Sequence, residues 1–311
     1  NNGNNRDATT LLSLGFSDAA PEDLKQVVVE VDSITFRRSG AEDVVVDSFT
    51  ITELDLVAAD SFQIDLLQYR GRNQLLVIDG LELGRGTYSE ILISVLGGDI
   101  NFSYVLAADD SVVELNAPAA GLSLPGMTLS VDEQQFTVEF SLAQSLQFQT
   151  SSDNYLLATD GIRVEDNATA ASLSGRVDNA LFDAVSPCDE KDDPERGNRI
   201  YLYQGIGLSD SQLADVFTTS SGTTVPDDAL APFTVAALLE NALIGSWEYA
   251  FGFLPAGDYT MAFACDTTDD DSVDFDGLVV PLPIEQIYEV TLSEGEQGVC
   301  GINVSGDCSA N

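Results

Sequence analysis

The chain has 311 residues, with 52 acidic and 12 basic side chains, a formal net charge of −40 and no histidine. A charge of this sign repels the phosphates of nucleic acids and anionic lipid headgroups, so roles at DNA, RNA or membrane surfaces are disfavoured. Without histidine the chain cannot build a Ser-His-Asp triad, a Cys-His pair or a histidine-ligated zinc or iron site. Any bound metal would therefore take oxygen ligands.

The length predicts two domains, each large enough to bury a core of its own. A new strand pattern begins at Ala171, and we expect the domains to span residues 1–170 and 171–311. No stretch approaches the roughly 20 apolar residues that a membrane span needs. The polar leader at residues 1–5 is typical of a secreted protein whose signal peptide has been removed, although a trimmed sequence would look the same.

The first apolar run of the chain has two interpretations. It consists of Leu11, Leu12, Leu14 and Phe16. It could form an ordinary first strand of its own sheet. Alternatively, it could be donated to a neighbouring subunit and complete that subunit's sheet by β-strand addition.

Further apolar alternation predicts an all-β fold. Valines alternate with other residues over residues 27–31, and a second run covers residues 44–51. The clearest case covers residues 136–142, where apolar side chains alternate with polar ones, as in a strand with one wet face. The alternation changes phase at residues 143–145, which predicts a bulge or bend. Short strands separated by glycines favour two antiparallel β-sandwich domains of the immunoglobulin or transthyretin type.

A few short helices are also expected. Residues 18–25 have a helix-start composition around Pro21, residues 209–217 begin with serine and aspartate, and residues 233–243 carry apolar side chains at helical spacing.

All four cysteines lie in the second half, at Cys188, Cys265, Cys300 and Cys308. An even number in one region indicates two disulfides and an oxidising compartment. Three connectivities are possible on paper. The short glycine-containing segment between Cys300 and Cys308 favours a local clip, which leaves Cys188 to pair with Cys265.

Two acidic segments directly follow cysteines. The side chains that we predict as cation ligands are Asp189, Glu190, Asp192 and Asp193 after Cys188, and Asp266, Asp269, Asp270, Asp271 and Asp274 after Cys265. A disulfide between these cysteines would bring the segments together, and their mutual repulsion would favour a bound cation. Calcium takes oxygen ligands from flexible acidic loops, so we expect a calcium site here. The alternative is a pair of solvated acidic loops.

Enzymatic motifs are weak. Carboxylates are so abundant that some pair will lie at a glycosidase distance by chance. Trp247, which could serve as a sugar platform, lies in an apparent strand where core packing is the default. The sequence contains no P-loop and no glycine-rich dinucleotide fingerprint. We therefore expect a protein without catalytic residues or an organic cofactor.

The first half resembles domain-of-unknown-function family 4382 over about residues 8–170. The segments that carry the resemblance, in chain order, are residues 14–21, the valine run, residues 65–67, 75–76, 86–91 and 116–122. Where the family commonly has Ile-Arg-Leu, this chain has Ile91, Leu92 and Ile93. The resemblance implies a secreted or surface protein with a β fold. It transfers no activity, because none is established for the family.

The second half resembles a transthyretin-like or carboxypeptidase-regulatory-like β-sandwich. The resemblance rests on residues 172–177 and 200–203 and on the Leu-Pro-Ala-Gly-Asp-Tyr turn at residues 254–259. Such modules are commonly structural or adhesive.

These observations together predict a secreted, non-enzymatic structural protein of a cell surface or extracellular matrix. It would self-associate or bind other surface proteins, assemble into filaments by strand donation and be stabilised by calcium. The alternative is a monomeric extracellular binding module, resembling an adhesin, for a glycan or another surface ligand.

Overall fold

The computed structural model describes residues 8–309, and strands form about half of it, with very little helix, as predicted. The strands before residue 170 are β1 (Thr9–Ala19), β2 (Leu24–Arg37), β3 (Val44–Val46), β4 (Phe49–Ile51), β5 (Leu56–Ala59), β6 (Phe62–Asp65), β7 (Leu75–Gly84), β8 (Gly86–Leu96), β9 (Tyr104–Ala107), β10 (Val112–Asn116), β11 (Leu122–Leu129), β12 (Glu133–Ser141), β13 (Leu146–Gln149), β14 (Asn154–Leu157) and β15 (Ile162–Asp166). The later strands are β16 (Ala171–Val177), β17 (Arg199–Gln204), β18 (Thr234–Ala237), β19 (Leu239–Asn241), β20 (Ser246–Leu254), β21 (Gly257–Ala264), β22 (Ile287–Leu292) and β23 (Gln297–Val299). Two single-turn helices are α1 (Leu142–Ser145) and α2 (Ala180–Asp183).

The N-terminal half is a sandwich of two large sheets, with a further two-stranded sheet formed by β4 and β5. The smaller sheet has the strand order β15-β12-β1-β7, with β1 parallel to β12 and antiparallel to β7. The larger sheet is organised around β2, which pairs with β8, β9, β6 and β3. Side chains from both sheets, such as Phe16 and Phe140 on one and Val29 and Ile34 on the other, form the largest apolar core. The alternating apolar side chains of these strands supply its inward faces.

The C-terminal half contains two further four-stranded sheets, β19-β20-β16-β23 and β18-β17-β21-β22. Leu173 and Phe251 from the first and Ile200 and Phe263 from the second share one apolar core. Trp247 packs against the ring of Phe182 with 5.9 Å between ring centroids, so this tryptophan contributes to packing. The all-β prediction is confirmed for both halves, whereas the likeness to transthyretin is not.

The helix predictions were mostly wrong. Residues 18–25 complete β1, turn at Asp23 with a left-handed φ of 57°, and begin β2. Residues 209–217 contain only a 3-10 turn at Asp210–Gln212. Residues 233–243 form β18 and β19, because pairing with β17 and β20 overrides the helical spacing of their apolar side chains. The predicted break after residue 142 is confirmed, and it takes the form of α1.

The two halves meet along an extensive seam. Packing of the two N-terminal sheets against each other buries the apolar face of β12. The opposite face of β12, which includes Thr137 and Glu139, is also buried. The prediction of a wet face was wrong because β20 packs over this face. A Cβ atom at Gly252 of β20 would overlap the carbonyl oxygen of Gly71, so the backbones of the two halves are in direct contact. The domain boundary at 170/171 stays a prediction.

Among the described residues, none of the helices is both long and apolar enough to cross a membrane.

Candidate functional site

Both predicted disulfides are present. Cys188 pairs with Cys265 at a Cα–Cα distance of 5.8 Å, and Cys300 pairs with Cys308 at 4.6 Å. The first disulfide joins the two cysteines that directly precede the acidic segments, as we predicted. The predicted cation ligands therefore emerge from neighbouring points on the fold.

Carboxylates of the second acidic segment are bound to backbone N–H groups. The Asp271 carboxylate accepts hydrogen bonds from Val273 N at 2.7 Å and Asp274 N at 2.8 Å. Asp274 in turn accepts one from Gly222 N, and Asp276 accepts one from Asp271 N. Backbone N–H groups thus stabilise the negative charge of these carboxylates, a role that the sequence had led us to expect of a calcium ion. Aspartate suits this role because its short side chain reaches N–H groups a few residues along the chain.

Asp270 lies at the centre of a buried polar network. Its Oδ2 atom lies 3.1 Å from Arg199 Nη1 and accepts a hydrogen bond from Tyr201 Oη at 2.5 Å. Its Oδ1 atom accepts a hydrogen bond from Val216 N at 3.1 Å. Burial raises the pKa of Asp270 to about 7, although Arg199 acts in the opposite direction. This predicted calcium ligand is therefore a structural anchor for the acidic segment, with its carboxylate directed into the protein.

A lysine ammonium lies within the first acidic segment. Lys191 Nζ donates to the carbonyl oxygen of Arg196 at 2.7 Å and to Asn198 Oδ1 at 2.8 Å. Burial lowers the pKa of Lys191, while the carboxylates of Glu22 and Asp266 act to raise it. The Lys191 ammonium therefore lies near Asp193 of the first acidic segment, Asp266 of the second, and Glu22. The position of a lysine between acidic residues in the sequence is the signal that could have indicated this role.

Within residues 8–309, no three histidine, cysteine, aspartate or glutamate side chains are grouped so that they could hold a metal ion. Of the nine predicted ligands, Asp270 is buried and Asp274 is half-buried. The exposed ones are Asp189, Glu190, Asp192, Asp193, Asp266, Asp269 and Asp271. Calcium binding stays a prediction. It would require the exposed carboxylates to be rearranged around the ion.

The proposed assembly strand lies inside its own sheet. Leu12 and Leu14 are completely buried, Phe16 is 1% exposed and Leu11 is 43% exposed. β1 occupies a central position between β12 and β7. In this structure the segment is thus an ordinary strand of its own sheet. Strand donation stays a prediction, and it would require β1 to leave this sheet and enter that of another subunit.

A buried charged cluster at the seam was not anticipated. Glu139 of β12 and Arg163 of β15 are register neighbours, and they are 1% and 9% exposed. The ion-pair partner of Arg163 is Glu165, at 3.3 Å. Arg163 Nη2 donates to the carbonyl oxygen of Phe253 at 3.1 Å, and its guanidinium lies 4.7 Å from the centroid of the Phe233 ring. One arginine of the first half thereby makes two contacts with the second. Burial raises the pKa of Glu139 to about 8, with Arg163 acting to lower it and Glu165 to raise it.

The chain from residue 9 to residue 159 matches a family model described as "Domain of unknown function (DUF4382)". The N-terminal half is a DUF4382 domain. This confirms the predicted resemblance for the matched residues, and β15 extends the sheet of the domain beyond them. No curated protein matches the chain.

Several solved bacterial proteins show weak similarity to this chain. The TIE protein of Bacillus anthracis is 10% identical, with 95% of this chain and 34% of that chain covered and a TM-score of 0.21. A leucine-rich repeat protein from Bacteroides thetaiotaomicron is 11% identical, with 95% and 26% covered and a TM-score of 0.21. The pilin subunit BcpA of Bacillus cereus is 11% identical, with 97% and 71% covered and a TM-score of 0.21. The chain thus spans about a third and a quarter of the first two proteins, and TM-scores at this level establish no shared fold.

We predict that Asp270→Ala lowers the free energy of unfolding by about 3–5 kcal/mol, because it leaves the buried Arg199 guanidinium without its carboxylate partner. The matched control is Asp269→Ala, since Asp269 is the exposed neighbour. The control should change the unfolding free energy by less than about 0.5 kcal/mol. Chemical denaturation monitored by tryptophan fluorescence and circular dichroism measures both. Equal effects of the two substitutions would contradict the anchoring role of Asp270.

The raised pKa of Glu139 in β12 predicts that the free energy of unfolding depends on pH. Its pKa is about 8 in the folded protein against an ordinary value of 4.5, so folding favours the protonated carboxyl. The stabilisation from this group is complete below the ordinary pKa and is lost as the pH rises through about 8. Asp18, whose pKa burial also raises, interacts with Glu139 and titrates in the same direction.

We expect Glu139→Gln to become progressively more stable than the wild type as the pH is raised from about 5 to about 8.5. The total change in their difference should be on the order of 3 kcal/mol or more. Denaturant unfolding across this range tests the expectation, with Glu133→Gln at the exposed start of the same strand as the control. A difference between Glu139→Gln and wild type that does not vary with pH would show that Glu139 is ionised in the folded protein.

Proposed function

We propose that this protein is a secreted, non-enzymatic structural component of a cell surface or extracellular matrix, and that it self-associates. The observation that carries the proposal is the closure of both disulfides, Cys188–Cys265 and Cys300–Cys308. All cysteines of the described residues are paired. Disulfides of this kind persist in oxidising compartments outside the cytosol.

The acidic surface sets the conditions for self-association. Subunits with a formal net charge of −40 repel one another over the Debye length, which is about 8 Å at physiological ionic strength. Salt, bound cations or contacts through uncharged surfaces would offset this repulsion. Assembly in salt-containing extracellular fluid is consistent with such a chain.

Calcium is a finer part of the proposal. The exposed carboxylates of the two disulfide-linked acidic segments are oxygen ligands of the type that calcium prefers. Calcium would join the two segments and lower the repulsion between subunits. Binding to the folded state alone would raise the melting temperature in proportion to the logarithm of the calcium concentration.

A monomeric binding module is the second candidate. A cavity of about 520 Å³ lies on the seam, with Arg70 from the DUF4382 domain facing Ser174, Asn241 and Glu248 from the second half. Its size is in the range of small-ligand sites, and its polar side chains suit the hydroxyl groups of a glycan. Proteins that use such a site need not assemble.

The secreted location predicts that protein isolated from its native source contains no free thiol. Alkylation of the denatured, unreduced protein should add no label to Cys188, Cys265, Cys300 or Cys308, and alkylation after reduction should label all of them. Mass spectrometry of the proteolysed chain measures both. Labelling before reduction would contradict an oxidising compartment, and protease treatment of intact source cells would then show whether the protein is exposed at all.

Self-association predicts that the sedimentation coefficient rises with salt. Between about 0.05 M and 1 M sodium chloride, screening should convert monomers into larger species. Adding calcium at constant ionic strength should increase their size further, and a chelator should reverse that increase. A monomer under every condition would favour the binding module, and activity in a hydrolase screen would contradict the non-enzymatic assignment.

A further inference from the structure

A buried threonine lies against two side-chain amides in the N-terminal half. Thr137 of β12 is completely buried. Its Oγ1 atom lies 2.7 Å from Gln74 Oε1 and 2.7 Å from Asn167 Oδ1. A hydroxyl carries one proton, so it can donate to only one of these oxygens at a time. The site therefore brings a nucleophile of the hydroxyl class against carboxamide groups in a place that bulk water does not reach.

A glycine allows Gln74 to reach this position. Gln74 directly precedes β7, and β1 lies between β7 and β12 in the sheet. Gly15 of β1 is the register partner of Thr137. A Cβ atom at Gly15 would overlap the Gln74 carboxamide, so a glycine here leaves room for that group to cross over β1. The carboxamide from one side of β1 is thus held next to the hydroxyl from the other side.

A buried carboxyl group lies on the same face of β12. Glu139 is two residues from Thr137, and side chains at that spacing lie about 7 Å apart on one face of a strand. The Oε2 atom of Glu139 is buried and has no hydrogen-bond partner in the described part of the chain. A neutral carboxyl can release a proton from one oxygen and accept another at the second. Glu139 therefore supplies an unengaged proton-transfer group beside the hydroxyl.

We propose that Thr137 and Gln74 form an intramolecular ester. Thr137 Oγ1 attacks Gln74 Cδ, the Cδ–Nε2 bond breaks, and the nitrogen leaves as ammonia. Glu139 accepts the hydroxyl proton and donates its own proton to the leaving nitrogen, so it ends the reaction unchanged. The reaction consumes no oxidant, reductant or cofactor. Because the folded chain already holds the two groups in contact, most of the entropic cost of bringing them together is met by folding.

The surroundings of the pair suit both the reaction and its product. Gln74 and Asn167 line a cavity of about 300 Å³, which gives the ammonia a space to leave into. Protein packing around Thr137 excludes water and protects the ester from hydrolysis.

The link would supply a covalent bond to a half of the protein that has no disulfide. All four cysteines lie beyond residue 187, whereas the ester would join β7 to β12 across β1. Such a closure restricts the unfolded chain in the same way as a disulfide. The inference goes beyond the proposed function, because the ester forms within one molecule and does not depend on self-association.

The first test is a peptide map of the wild-type protein. Loss of one ammonia should make the reduced, denatured chain about 17 Da lighter than its sequence requires. Trypsin cleaves after Arg72, Arg85 and Arg163, so Gln74 and Thr137 fall in different peptides, residues 73–85 and 86–163. We expect these two peptides to remain joined, and to separate on treatment with hydroxylamine, which cleaves esters and leaves amides intact.

The second test removes the nucleophile. Thr137→Val deletes the hydroxyl with little change in volume, and it should show the full sequence mass and two separate peptides. The matched control is Thr87→Val, because Thr87 is exposed on β8 and its hydroxyl contacts that of Thr128 instead of an amide. The control should retain the link. Near-ultraviolet circular dichroism establishes that both variants are folded, and the wild-type map decides the question even if Thr137→Val is not.

The third test addresses Glu139. Glu139→Gln should form the same link about 100-fold more slowly than the wild type, because it removes the proton-transfer group. The measurement is a time course of the intact mass after refolding of protein that was produced in denatured form. Equal rates would overturn the role of Glu139.

Two peptide maps would contradict the ester as proposed. If residues 73–85 and 86–163 separate after trypsin, no link is present. This holds even if the intact chain is lighter by one ammonia, since Asn2 before Gly3 can also lose ammonia by cyclisation. If residues 86–163 are instead joined to residues 164–176, the hydroxyl has reacted with Asn167 and the assignment to Gln74 is wrong.

Discussion

The constraint on which this structure depends is the imbalance between its carboxylates and its cations. With 52 acidic and 12 basic side chains, most carboxylates have no side-chain cation to pair with. The second acidic segment meets this constraint with backbone N–H groups, as at Asp271 and Asp274. Such hydrogen bonds stabilise the charge and define the loop conformation at the same time. A dense run of aspartates can therefore be a structural element even where it has the composition of a metal site.

Three of the basic side chains lie where burial makes an unpaired charge costly. Arg199 holds Asp270 inside the second half, and Lys191 donates to oxygen atoms at the base of the first acidic segment. Arg163 lies where the two halves meet, forms an ion pair with Glu165 and donates to the carbonyl oxygen of Phe253 in the other half. Removal of a partner from a buried pair costs far more than the loss of an exposed ion pair. Packing around the buried arginines therefore affects the protonation of neighbouring acids, because Arg163 acts on the pKa of Glu139 and Arg199 on that of Asp270.

The sequence predicted those features of the fold that depend only on residues close together in the chain. The alternation of Phe136, Val138 and Phe140 placed β12, and the short spacing of Cys300 and Cys308 gave their pairing. Properties that depend on a distant segment were not predictable. The polar face of β12 is buried by β20, and the helical spacing at residues 233–243 yields to pairing with β17 and β20. The engagement of Asp270 with Arg199 and Tyr201 likewise depends on strand pairing, and no local signal distinguishes Asp270 from its exposed neighbour Asp269.

The excess of carboxylates over cations also limits how two copies of the chain can associate. A contact that buried exposed aspartates from two subunits would remove their hydration without supplying a cation, and the cost of that desolvation would exceed the gain from apolar area nearby. Contacts are therefore confined to surfaces that carry no charge or to surfaces that recruit a cation from solution. The exposed carboxylates of the two acidic segments belong to the second class. Because screening by salt acts on long-range repulsion and leaves short-range apolar contact largely unchanged, an assembly built through the uncharged surfaces strengthens as ionic strength rises. An acidic surface of this kind makes association depend on the ionic strength of the surrounding medium, and it confines the contact to patches that exclude carboxylates or bind a cation.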